Sequence, residues 1–266
     1  MDQTLTLPSP RQPMAATLNR SGPPGPVVLL LHGFTGSRDE MQIPSTGEGV
    51  FARTARQLAG AGYSSLRIDF RGSGESQGQM SFAESDFETQ VADVLSALDW
   101  LRAQGYGPVH LLGWSQGGMI ASLAAGRGAE VGSVILWNAV AEPQESFGRI
   151  LGPKMLARGM AADDQETPVG ITLPWGDRVK LGRQFFRQLA SLDPVQEIAR
   201  YRGPLMVAWG SADPLVPESS ARALLAAHDG PQAAYAGPFD HAFDIHHGTR
   251  ALDALIARSI AFLDGL

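Results

Sequence analysis

The chain has 266 residues, of which 44% are hydrophobic and 18% charged, with no cysteine and a formal net charge of −6. That length suits one large core, and the composition excludes a disordered chain, a disulfide framework, a thiolate nucleophile and a Cys-ligated metal. No block of Lys or Arg stands out to neutralise phosphates, so nucleic acid is excluded as a partner.

The first 16 residues carry Pro8, Pro10 and Pro13 and lack the apolar stretch of a signal peptide. Nowhere does an apolar run approach the roughly 18–20 residues of a membrane span. A cytoplasmic location without membrane attachment is therefore expected. The SGPPGP stretch at 21–26 predicts a turn between early strands. The run VVLLL at 27–31 is apolar throughout, as in a strand buried on both faces. Residues 50–61 place Phe51, Ala55 and Leu58 at helical spacing and stop at Gly62. A second strand is predicted at 64–68. Ser85 followed by Glu88 reads as a capping box, opening a helix with Phe87, Val91, Val94, Leu95, Leu98 and Leu101 on one stripe.

A third strand at 109–113 runs straight into a helix reaching Ala125. Further strands are predicted at 131–137, 205–209 and 233–236. Helices follow at about 218–227 and at 249–263. Alternating strands and helices imply a mostly parallel central sheet with helices on both faces, an α/β fold. One domain is expected across residues 1–266. Between Asn138 and about Arg202 no strand is evident, yet Phe147, Ile150, Leu151, Met155, Leu156, Met160, Trp175, Phe185 and Phe186 accumulate. This interval, 138–202, is expected to form a small helical cap insertion, packing extra helices on the body or covering a pocket.

The motif Gly113-Trp114-Ser115-Gln116-Gly117, followed by Gly118, lies between the third strand and its helix. A hydroxyl must project freely to attack a carbonyl, and a sharp strand-to-helix turn achieves this. Glycines on either side remove the Cβ atoms that such a turn would crowd. Ser115 is the candidate nucleophile. Its base should be a histidine at the carboxyl end of the sheet. Of six histidines, His110 starts its strand and His228 ends a helix, where solvation is expected. His241 follows the last strand and is the candidate, with His246 its main rival. The acid should follow a strand between nucleophile and base, which selects Asp213 in the turn GSADP at 210–214. Asp240 and Asp244 are rivals by proximity alone, and Asp240 adjoins His241 too closely to reach its ring.

Attack would build charge on the carbonyl oxygen, which backbone N–H groups can hold. The Gln116 amide, at a helix N-terminus, supplies one candidate donor, and the Phe34 amide, in the loop HGFTG at 32–36, supplies the other. His32 is expected to brace that loop through its ring nitrogens. Trp114, Trp137 and Trp175 are candidate substrate contacts. Neither a metal nor an organic cofactor is called for. The expected partner is a small-molecule ester, and the assembly a monomer or homodimer.

On these residues the chain resembles the α/β-hydrolase superfamily, and within it the esterases allied to cinnamoyl and feruloyl esterases. The resemblance rests on HGFTGS at 32–37, DFRGSGES at 69–76, GWSQGG at 113–118, GSADPLVP at 210–217 and FDHAF at 239–243. It implies a serine carboxylesterase, with phenolic acid esters as a substrate class, and a cap after Asn138. Trp114 departs from the His that many such esterases carry, and similar GWS motifs occur in peptidases bearing a propeller too large for this chain. Thioester cleavage, acyl transfer and small-peptide cleavage would use the same three side chains. A non-catalytic binding protein on this scaffold would have no physical need for all three.

Overall fold

In the computed structural model, which describes residues 2–163 and 167–266, six segments form six adjacent parallel strands. They are β3 (Val27–Leu31), β4 (Ser64–Ile68), β5 (Val109–Trp114), β6 (Ser133–Trp137), β9 (Leu205–Gly210) and β10 (Gln232–Gly237). Two further strands precede them, β1 (Asp2–Leu7) and β2 (Met14–Asn19). The sheet order is β1-β2-β4-β3-β5-β6-β9-β10, with β1, β2 and β4 paired antiparallel and the rest parallel. The proline-rich opening thus encodes a hairpin whose prolines fall in the connection, where no ladder N–H is needed.

Side chains alternate across each strand, so the continuous apolar runs feed two cores. Leu29, Leu31, Leu111, Val134, Leu136 and Val207 face the helices α2 (Phe87–Ala103) and α3 (Gln116–Gly126). Val28, Leu30, Leu112, Ile135 and Met206 face α1 (Val50–Gly60) and α9 (Arg250–Asp264). Helix α8 (Glu218–Ala227) joins the first core through Ala221 and Leu224.

Three local expectations are corrected. Ser85 does not open a capping box. Asp86 caps α2 by accepting from the Thr89 amide at 2.8 Å, and the reciprocal Ser–Glu pair is Ser81 with Glu84, one turn earlier. Leu95 lies on the exposed side of α2. His228 is buried, its Nε2 held 2.9 Å from the Gly203 carbonyl oxygen.

The interval between β6 and β9 holds α4 (Pro143–Leu151), α5 (Pro153–Ala161), α6 (Arg183–Ser191) and α7 (Pro194–Ile198). It also holds a two-stranded antiparallel ribbon, β7 (Val169–Thr172) with β8 (Arg178–Leu181), where no strand was expected. Four-residue strands with one buried face leave too little alternation to read in advance. Phe147, Ile150, Phe185 and Phe186 are buried and continuous with the core above α2 and α3, whereas Met160 and Trp175 are exposed.

Candidate functional site

Strand β5 delivers its chain to the rim of the sheet, and α3 leaves from the next residue but one. Ser115 between them takes φ +56° and ψ −117°, a strained conformation for a residue bearing a Cβ. Neighbouring backbone makes the flanking glycines obligatory. A Cβ at Gly113 would lie 2.3 Å from the Gly117 carbonyl oxygen, and one at Gly117 would lie 2.0 Å from that of Leu31.

Loops after β9 and β10 bring the other two groups to the same rim. The His241 Nε2 lies 3.0 Å from the Ser115 Oγ, and its Nδ1 lies 2.6 Å from the Asp213 Oδ2. A carboxylate only accepts, so Nδ1 carries the proton and donates it, which leaves the Nε2 lone pair to accept from the serine hydroxyl. The Asp213 carboxylate is buried, and its Oδ1 accepts from the amides of Leu215 and Val216 at 2.8 and 2.9 Å. Those two bonds fix the carboxylate plane. The rival groups are elsewhere. His246 and His247 are exposed, and the Asp240 Oδ1 accepts from the amides of Ala242 and Asp244.

Two residues that sequence reasoning did not assign hold these loops together. Asn138, directly after β6 and at φ +43°, accepts from the Gly210 amide at 2.8 Å and donates to the His241 carbonyl oxygen at 3.1 Å. It therefore ties the loop of Asp213 to the loop of His241. A polar residue closing an apolar strand at the carboxyl rim was the available signal. The second residue is Glu40. Its Oε1 accepts from the Gly33 amide at 2.5 Å, and its carboxyl packs against Gly36, inside the loop that carries Phe34. Burial raises its pKa from the ordinary 4.5 to about 8.

His32 braces the same loop from within. Its Nδ1–H donates to the Gly33 carbonyl oxygen at 2.8 Å, and its Nε2 accepts from the Phe70 amide at 3.2 Å. Burial lowers its pKa, in keeping with this neutral tautomer. The Phe34 and Gln116 amides donate to no group among the described residues. No three His, Asp or Glu side chains gather as a metal would require among those residues.

The tryptophans divide. Trp114 is 6% exposed; its indole N–H donates to the His241 carbonyl oxygen at 3.1 Å, and its ring lies 5.2 Å from the imidazole. It supports the histidine. Trp137 is wholly buried on the α1 and α9 side, and its indole N–H donates to the Ser259 Oγ at 3.0 Å. It cannot touch a substrate, and that expectation is corrected: period-2 alternation sends its side chain into the second core. Trp175 is 47% exposed between β7 and β8, its indole N–H on the Asp177 carboxylate at 3.0 Å. Phe34 and Gln116 both line a small cavity whose wall includes Phe82, Phe87 and Phe185. A more open hollow of about 190 Å³ lies on the Thr35 and Gly36 side of the same loop and reaches Arg178.

An eight-stranded sheet flanked by helices, with a strained serine at the β5–α3 turn, defines an α/β hydrolase. The chain belongs to that family: the model of the alpha/beta hydrolase fold matches residues 26–173. Among solved structures, Est1E from Butyrivibrio proteoclasticus with ferulic acid bound superposes with a TM-score of 0.76 at 19% identity, covering 98% of this chain and 99% of that one. The α/β hydrolase GrgF from Penicillium sp. sh18 gives 0.77 at 18%, covering 99% and 98%. An esterase domain from Rhodothermus marinus gives 0.70 at 23%, covering 98% of each chain. No curated protein matches the sequence.

Proposed function

We propose that the protein is a serine carboxylesterase that hydrolyses small esters through an acyl-enzyme. The observation that carries this reading is the continuous line from the Ser115 Oγ through both ring nitrogens of His241 to a buried carboxylate. His241 takes the hydroxyl proton at Nε2 as Ser115 attacks the ester carbonyl carbon. The charge that develops on oxygen is met by the Phe34 and Gln116 amides, a donor of this kind being worth roughly 3–4 kcal/mol. Asp213 stabilises the imidazolium. Collapse expels the alcohol, which receives its proton from His241. Water, deprotonated by the same Nε2, then attacks the acyl-enzyme and releases the acid.

Within this reading the substrates are phenolic acid esters. Two observations support that class: the aromatic wall of Phe34, Phe82, Phe87 and Phe185 in a cavity that Gln116 also lines, and a fold shared with Est1E, which was solved with ferulic acid bound. Phe34 and Phe82 are only partly buried, so an aryl ring would meet them at the mouth of this wall. The test is Ser115→Ala against chromogenic acetate and hydroxycinnamate esters, with a fluorophosphonate probe read by mass. Loss of both turnover and labelling in a folded variant is expected. Full activity in that variant would overturn the assignment.

A further inference from the structure

The small aromatic-walled cavity is also lined by Ser85, Asp86, Gln90 and Gln116, and two of their polar atoms have no partner among the described residues. Ser85 is 6% and Gln116 2% exposed, and both line it. The Ser85 Oγ and the Gln116 Oε1 are buried without a hydrogen-bond partner among the described residues. The Gln116 side chain is held in place by its amide nitrogen, which donates to the Gln90 Oε1 at 2.7 Å. Leaving a buried polar atom unpaired is costly, so two at one cavity mark a place where a polar group belongs. The free space is about 10 Å³, room for one water or one group of similar size.

We infer that this cavity is a subsite for a single hydroxyl carried on the acyl group of the substrate. The inference rests on the proposed ester hydrolysis. A hydroxyl donates to the Gln116 Oε1 and accepts from the Ser85 hydroxyl, giving each atom the partner it lacks. A methyl group in its place leaves both protein atoms unpaired. The recognised chemistry is the acyl hydroxyl itself, on a phenol ring or at the end of an alkyl chain. Because Gln116 also contributes its backbone amide to the proposed oxyanion site, recognition in the cavity and orientation of the carbonyl are coupled through one residue.

The experiment compares matched esters of one chromogenic alcohol: hydroxyaryl against methylaryl acyl groups, and ω-hydroxyalkanoyl against alkanoyl acyl groups of equal length. The ratio of kcat/KM, hydroxy over methyl, is read in the wild-type enzyme and in Ser85→Ala and Gln90→Leu. A wild-type ratio of at least about tenfold in one series, collapsing toward unity in both variants, is expected. The series showing it identifies the acyl skeleton. A ratio near one in both series, or one unchanged by the substitutions, overturns the subsite while acetate ester turnover leaves the esterase reading intact. Binding of the free acids to Ser115→Ala, by calorimetry, provides a readout independent of turnover. There the hydroxy acid should bind at least about tenfold tighter than its methyl counterpart; equal binding means a trapped water only and sinks the inference.

Discussion

Glu40 should make this protein less stable as pH rises from 4.5 toward 8. Its carboxyl, buried against Gly36 and bonded to the Gly33 amide, has its pKa raised from 4.5 to about 8. Below pH 4.5 both folded and unfolded chains keep the proton and the group contributes no penalty. As pH rises toward 8 the unfolded chain ionises while the folded one does not, so stability falls by about 1.4 kcal/mol per pH unit. At pH 7 the loss is on the order of 3 kcal/mol. Glu40→Gln retains an Oε1 to accept from Gly33 and has no proton to lose. The variant should therefore be the more stable protein at neutral and alkaline pH, by several degrees in Tm at pH 7 to 8, and the advantage should vanish near pH 4. Urea unfolding of both proteins from pH 4 to 9 is the assay. A difference that stays constant across that range would show that Glu40 does not titrate between the two states. Ionised Glu40 would also place negative charge beside the loop carrying the Phe34 amide. Esterase activity should then decline above pH 8 in the wild type and less so in Glu40→Gln.

Asp213→Asn should leave the fold intact, since Leu215 and Val216 still find an acceptor. It should lower kcat on an acetate ester by at least about a thousandfold, because the wrong histidine tautomer is favoured. Asn138→Ala breaks the ties to Gly210 and His241. Circular dichroism and steady-state kinetics should show roughly 2–3 kcal/mol lost in stability and kcat reduced more than KM is raised. Trp137→Phe removes the bond to Ser259 and core volume far from the substrate. Tm should fall, by roughly 1–3 kcal/mol of stability, with KM unchanged for every ester tried.

Much of this arrangement was legible along the chain because its determinants are local. Most of the parallel strands announce themselves as apolar runs between turns, and the motif around Ser115 contains the strand end, the glycines and the helix start within a few residues. His241 and Asp213 could be selected because reactive groups collect at the carboxyl ends of parallel strands. The prolines before Met14 concealed the first hairpin, and the short ribbon β7–β8 lacked sufficient alternation. Trp137 was misread for a different reason. Position at a strand end says that a residue is near the rim, but only the pleat says which face receives its side chain.

Sequence alone determined the layered α/β architecture, the strained serine and the identities of its partners, since backbone preference and burial period are written in neighbouring residues. Tertiary structure decided what those groups lean on. Asn138 meets Gly210 across 72 positions and His241 across 103, and Gln116 meets Gln90 across 26. Such meetings depend on which strand lies beside which and how far each loop returns. Unpaired atoms lining the aromatic cavity are a property of that convergence, because a hydrogen bond left unmade becomes visible only when every neighbour is in place.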